Sequence, residues 1–309
     1  RLSLEEKVGQ LMMLGFSGTA MEDRTRALLR DKHPGGVALF ARNIGTRAEV
    51  RALTAAIRAE TKDGIPPFIA VDQEGGNVMR LKERTTLLPS AMALGAARSP
   101  ALAEAAGRAM GQDLRALGFT MNFAPVLDVN SNPRNPVIGV RSFGEDPEAV
   151  SRLGAAFIAG LRAAGVAGVA KHFPGHGDTQ VDSHFGLPSV PHDLQRLRSV
   201  ELVPFQRASN EGLASVMAGH LALPNVTEAP GLPASLSRRV LTDLLRTEVG
   251  FKGIIMTDGL EMEAVAGRMG VGRAAVEAVK AGADMVMVLG FADKKTEVQR
   301  ALLEAARSG

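Results

Sequence analysis

Apolar runs recur along the chain at QLMMLGF (10–16), GVALFA (36–41), PFIAVD (67–72) and FTMNFAPV (119–126). They continue at GVAGVAKHF (165–173), SVMAGHL (215–221), GIIMTD (253–258) and ADMVMVLG (283–290). Each is nearly continuous rather than alternating, the pattern of strands covered on both faces of a parallel sheet. The segments between them have helical periodicity and readable ends. Ser3 and Glu6 have capping-box spacing, and Ser99-Pro100 and Asp146-Pro147 each pair an N-cap residue with proline at the first helical position. Gly118 and Gly250 follow helical runs, where a left-handed residue closes the last turn.

Eight strand–helix units in 309 residues predict an α/β fold, a TIM-type (β/α)8 barrel. A doubly wound open sheet is the second architecture the pattern allows. With no repeat, linker or low-complexity stretch, a single domain over residues 1–309 is expected.

In a barrel, chemistry gathers at the C-terminal ends of the strands. Asp72 closes the third run, Asp128 follows the fourth, Lys171-His172 close the fifth, His220 the sixth and Asp258 the seventh. Core packing does not ask for charge at so many equivalent positions.

Composition removes several function classes. Cysteine is absent, so there is neither a disulfide framework nor a thiolate metal site. His172 and His176 are four apart, but Pro174 and Gly175 break any helix between them and no third ligand is suitably spaced. No metal and no cofactor are expected. The net charge of +3 is dispersed, and tryptophan and tyrosine are missing, so no nucleic-acid partner is expected. No apolar run approaches the ~20 residues of a membrane span. A cytoplasmic location is expected, although a start at Arg1 is compatible with a removed leader.

Three of the six histidines fall in KHFPGHGDTQVDSH (171–184). In extended chain, residues two apart share a side, so Asp182 can face His184 and favour its protonated ring. The bland alternative is a surface loop with an Asx turn. Gly175, Gly177 and Gly186 are expected to let this loop swing. Asp258 reads as a nucleophile or base at a barrel mouth, or as a helix cap. Lys171 reads as a Schiff-base amine of an aldolase-type barrel, a substrate anchor or a rim ion pair. Arg80 and Arg141 read as ligand contacts or structural partners of nearby acids.

Four ordered stretches, DQEGGNVMRL (72–81), FAPVLDVNSNPRNPVIGVRSFGEDP (123–147), KHFPGHGDTQVDSH (171–184) and LLRTEVGFKGIIMTDGLEM (244–262), resemble glycoside hydrolase family 3. The branch resembled is the bacterial β-N-acetylglucosaminidases with an Asp–His acid/base pair. The resemblance implies a retaining exo-enzyme with Asp258 as nucleophile, His184 as acid/base and Asp182 as its partner. It further implies that Asp72, Arg80, Arg141, Lys171 and His172 bind the sugar, while His176 is structural. The implied substrate is a small carbohydrate, an N-acetylglucosamine-containing muropeptide or disaccharide. Alternatives are a β-glucosidase-like or phosphorolytic member of the same family, an aldolase-type barrel, or a sugar-binding protein on a decayed barrel. Asn77 departs from the arginine common at that position, and Gly259 from a second acid or bulkier residue, which leaves the exact sugar open.

Overall fold

The computed structural model describes residues 2–61, 64–82, 85–183 and 186–309. Its centre is a closed barrel of parallel strands: β1 Met12–Gly15, β2 Gly36–Leu39, β3 Phe68–Val71 and β4 Met121–Asn122, then β5 Ala167–Phe173, β6 Ser215–Ala218, β7 Ile254–Gly259 and β8 Met285–Val288. Each strand pairs in parallel with its neighbours in chain order, and β8 closes onto β1 through Met12–Val286 and Leu14–Val288. All of the expected strands are present, and the open doubly wound sheet is ruled out by closure.

Helices return the chain outside the barrel after every strand. Their ends follow the sequence signals: Ser3 and Glu6 make both bonds of a capping box (3.1 and 2.7 Å). Ser99 and Asp146 cap Pro100–Ala116 and Pro147–Ala163, each with proline in the first turn. Gly118 and Gly250 adopt φ of +89° and +72°. A small antiparallel ribbon, Gln73–Gly75 with Val78–Met79, projects from the end of β3.

β4 is shorter than its apolar run because Pro125 has no N–H to give the ladder. The chain rejoins β5 through a bridge between Val126 and Lys171, with the Leu127 N–H on the Lys171 carbonyl at 2.7 Å.

Apolar packing falls into three buried clusters, two between strands and helices and one inside the barrel. The inner one contains Met13, Ala38, Ala70, Met121, Phe123, Val169, Met217, Met256, Met285 and Met287. Unbranched methionine adapts to an interior of changing width. The two-residue period of a strand then decides what reaches the mouth. Continuing Phe68, Ala70 on β3 gives Asp72; Ala167, Val169 on β5 gives Lys171; Ile254, Met256 on β7 gives Asp258. The last inward position on three strands is thus charged.

Among the described residues, no helix is long and apolar enough to cross a membrane.

Candidate active site

The C-terminal mouth of the barrel opens into a cleft of about 740 Å³. Asp72, Arg80, Arg141, Lys171, His172 and Asp258 all line it, so it collects these sequence-predicted residues from β3, β5, β7 and the intervening loops. Glu74, Glu261, His176 and Ser183 line it as well.

On the β3–β5 side the charges are interlocked. Lys171, only 3% exposed, places Nζ 2.7 Å from Asp72 Oδ1 and 2.6 Å from Glu74 Oε1. Arg141 grips Glu74 in a two-pronged bond, Nε and Nη2 each 2.8 Å from a carboxylate oxygen, and its Nη1 donates to the Val137 carbonyl at 3.1 Å. Arg80 Nη2 stands 3.6 Å from Asp72 Oδ2, and its buried Nε has no partner among the described residues. Burial disfavours ionised Glu74, but Lys171 and Arg141 outweigh it and hold the carboxyl at about 2. Burial likewise opposes the Lys171 ammonium, yet Asp72 and Glu74 raise its pKa above the ordinary value. A Schiff base needs the free amine. Held between two carboxylates, this lysine is an ammonium, which removes the physical basis of the aldolase alternative.

Gln73 aims this group. Its side-chain Oε1 accepts the N–H of Arg80 (2.9 Å) and of Leu81 (3.2 Å), and its backbone exchanges hydrogen bonds with the Asn122 side chain (3.0 and 2.8 Å). Glu74 escaped the sequence reading, although it lies two residues beyond Asp72. The same-side rule applied to Asp182 and His184 would have found it.

His172 is fixed from behind by Asp128, which is fully buried at the end of β4. Asp128 accepts the backbone N–H and the Nδ1–H of His172 (3.0 and 2.8 Å) and the backbone N–H of His176 (2.7 Å). Its burial raises the cost of charge, and the neighbouring His172 and His176 groups reverse this and lower its pKa. An ionised carboxylate only accepts, so His172 carries its proton on Nδ1 and turns Nε2 away from Asp128.

His176 is buried, with Nδ1 2.7 Å from Thr179 Oγ1 and its ring edge-to-face with His172. Burial and the neighbouring His172 push its pKa down to about 4 against the pull of Asp128, so it is neutral at pH 7.

Asp258 stands at the end of β7. Its Oδ1 accepts the Gly259 N–H at 2.7 Å, and among the described residues no cationic side chain bridges it within 4.0 Å. Burial raises its pKa, but His220, His172, the Gly259 N–H and Lys171 together lower it below the ordinary carboxylate value. His220, fully buried, holds the turn: its Nε2 donates to the Gly259 carbonyl at 2.9 Å and its Nδ1 is hydrogen-bonded with Ser235 Oγ at 2.7 Å. The cap expected as an alternative does not form, because Met262 rather than Asp258 precedes the next helix, Glu263–Met269.

The histidine-rich loop differs from the sequence expectation at its base. Gly177 lies so close to the Val129 carbonyl that a Cβ there would sit 1.8 Å from the oxygen, and Gly175 abuts Glu201 in the same way. Asn135 adds bonds to the His176 and Gly177 carbonyls at 2.8 and 3.1 Å. Gly177 is thus required for close approach, and Gly175, at φ +140°, for a backbone conformation that side chains rarely adopt. Farther along, His192 Nε2 meets Asp178 Oδ2 at 2.6 Å, and Ser183 reaches the cleft, 3.4 Å from His176 Nε2. Asp182 is half-buried and engaged in an interaction. His184 lies outside the described residues.

Among the described residues, no three His, Asp or Glu side chains are grouped to hold a metal ion.

Comparison with known proteins places this geometry. The glycosyl hydrolase family 3 N-terminal domain model matches residues 3–309. Beta-hexosaminidase A of Pseudoalteromonas piscicida is 37% identical over 322 residues, covering 93% of this chain and 54% of the relative. Beta-hexosaminidase of Pseudomonas aeruginosa is 42% identical over 283 residues, covering 90% of this chain and 81% of its own length. The structure of a family 3 beta-N-acetylglucosaminidase from Paenibacillus sp. superposes with a TM-score of 0.98 at 47% identity, over 100% of this chain and 59% of that one. The chain therefore spans little more than half the length of the first and third of these relatives.

Proposed function

This chain belongs to glycosyl hydrolase family 3 through its N-terminal domain, and on that footing we propose that it is a retaining exo-β-N-acetylglucosaminidase. The substrate in this proposal is a terminal β-linked N-acetylhexosamine on a peptidoglycan-derived fragment. The names of the relatives support the sugar, since they are beta-hexosaminidases and a beta-N-acetylglucosaminidase.

The observation that carries the mechanism is Asp258: an ionised carboxylate at the cleft, positioned by the Gly259 N–H and free of a neutralising ion pair among the described residues. A carboxylate so placed is a nucleophile in waiting. Asp72, Lys171, Arg80 and the Nε2 of His172 surround it as donors and acceptors for sugar hydroxyls. Arg141 also lines the cleft; three of its five N–H groups are used on Glu74 and Val137, which leaves two as donors for a sugar hydroxyl.

In the first step an Asp258 oxygen bonds to the anomeric carbon as the glycosidic C–O bond breaks. The imidazolium of His184, favoured by Asp182, delivers its proton to the departing oxygen. Neutral His184 then takes a proton from water, whose oxygen displaces Asp258 and releases the sugar with retained configuration. Ser183, the residue between Asp182 and His184 in the chain, lines the cleft, which supports this reading.

A panel of 4-nitrophenyl β-glycosides of N-acetylglucosamine, glucose and xylose, with and without phosphate, tests the reading. Preference for the N-acetylglucosaminide and release of free sugar are expected. A glucoside preference, or phosphate-dependent sugar phosphate, would replace it with one of the within-family alternatives.

A further inference from the structure

Opposite the Asp72–Lys171–Glu74 group, the cleft wall is built from the ends of β7, β8 and β2. Glu261 sits there, three residues after Asp258. Glu261 lines the cleft; its Oε1 accepts the Gly290 N–H at 2.6 Å, while its Oε2 is buried and has no hydrogen-bond partner among the described residues. No cation bridges Glu261 within 4.0 Å among them either. The two nearby bases are engaged elsewhere: Lys295 Nζ donates to the Gly290 carbonyl, and Arg42 donates through Nε to Phe16 (2.9 Å) and through Nη2 to Leu289 (3.1 Å).

A buried acceptor without a donor is costly, and in a native protein such a group calls for a functional or solvent partner; at a cleft wall a bound ligand can supply one. We propose that Glu261 is a specificity-determining residue whose Oε2 accepts a hydrogen bond from a hydroxyl or amide N–H of the bound glycan. The inference rests on the glycosidase reading above. Gly290 supports the geometry from its own side: a Cβ there would stand 2.9 Å from Glu261 Oε1, so a side chain would displace the carboxylate. Arg42, stacked on Phe40 with its guanidinium carbon 5.2 Å from the ring centroid, lines the same wall, where it can donate to a carbonyl or ring oxygen of the same ligand. The wall therefore presents one acceptor and one donor to a polar, neutral group, and the acceptor's charge disfavours an anion at that point.

The donor can come from the cleaved sugar or from the sugar that leaves. Steady-state kinetics of wild type, Glu261→Gln and Glu261→Ala on 4-nitrophenyl N-acetyl-β-glucosaminide and on a β-linked N-acetylglucosamine disaccharide separate the two. Glu261→Gln keeps an amide oxygen for Gly290 but turns an NH2 group toward the ligand's donor. A loss of about tenfold or more in kcat/KM with unchanged melting temperature is expected, as for removal of one charge-assisted bond. Loss on both substrates assigns the donor to the cleaved sugar, and loss on the disaccharide alone assigns it to the leaving one. Wild-type kinetics for Glu261→Gln on both substrates would overturn the inference, as would equal losses that track a lowered melting temperature. If the wild-type enzyme cleaves neither substrate, the glycosidase reading itself falls, and this inference with it.

Discussion

Asp128 holds His172 by two hydrogen bonds at once, the backbone N–H at 3.0 Å and the ring Nδ1 at 2.8 Å. The same oxygen that takes the His172 amide also takes that of His176 at 2.7 Å. One buried carboxylate thus sets the path of the chain leaving β5 and the tautomer of a cleft-lining imidazole.

Replacing Asp128 should therefore damage both fold and site. Asp128→Ala strands three buried donors, and a cost of about 3–5 kcal/mol is expected, as for breaking a buried charged pair. Urea titration followed by circular dichroism measures it. A variant as stable as wild type would show that these bonds carry no net stabilisation.

The Lys171 ammonium is the shared partner of Asp72 and Glu74. In Lys171→Met the two carboxylates repel across a buried space, so stability should fall by about 3–5 kcal/mol. A decrease of about 10- to 100-fold in kcat/KM should accompany it as the sugar contacts lose their alignment. An aldolase-type role would instead appear as borohydride trapping of a carbonyl compound on Lys171, and no adduct is expected.

Acid should weaken the fold in two stages. The His176 pKa falls from 6.5 in the unfolded chain to about 4 in the native protein, so the unfolded chain binds more protons between these values. Stability is full above pH 6.5 and declines as pH drops toward 4, by on the order of 2 kcal/mol. Glu74 adds a second stage. Its pKa is lowered from 4.5 to about 2, so its contribution is present above pH 4.5 and lost as pH falls toward 2. Urea midpoints between pH 7.5 and 4.5 should show the first stage in wild type and a shallower slope in His176→Gln. An equal slope in both would assign the acid lability to other groups.

Asp258 and His184 should separate by leaving group. Asp258→Ala should lower kcat by about 10⁴-fold or more on every substrate, as loss of a nucleophile does, and should remove covalent labelling by a 2-fluoro sugar. His184→Ala should slow poor leaving groups far more than activated aryl ones, because only the former require a proton. Labelling at another residue would refute the nucleophile, and equal losses across leaving groups would make His184 a binding residue.

How much of this was legible beforehand differs from residue to residue. Asp258, Lys171 and Asp72 could be read because each ends an apolar run, and barrel geometry turns the end of a run into a rim position. Spacing alone let Asp182 face His184 but left an Asx turn as the alternative, and the resemblance to a glycoside hydrolase family added their catalytic roles. Glu74 and Glu261 were missed for different reasons. Glu74 lies two residues beyond Asp72, where the same-side rule reaches it but was not applied past the end of the apolar run. Glu261 acquires its meaning only from Gly290, 29 residues away in the chain and beside it in space. The glycines of the histidine loop show a further limit. A glycine permits motion or close approach with equal ease, and only the neighbouring Val129 carbonyl shows that Gly177 serves approach.

The sequence by itself determined the number and order of strands, the helix ends and the charged residues that finish the strands. These depend on local hydrogen bonding and on apolar periodicity, which are written in consecutive residues. Only the tertiary structure decided which charges pair, which oxygen stays unpaired, and which proton each histidine carries. Those properties depend on distances and burial between groups far apart in the chain, and barrel closure is what sets them.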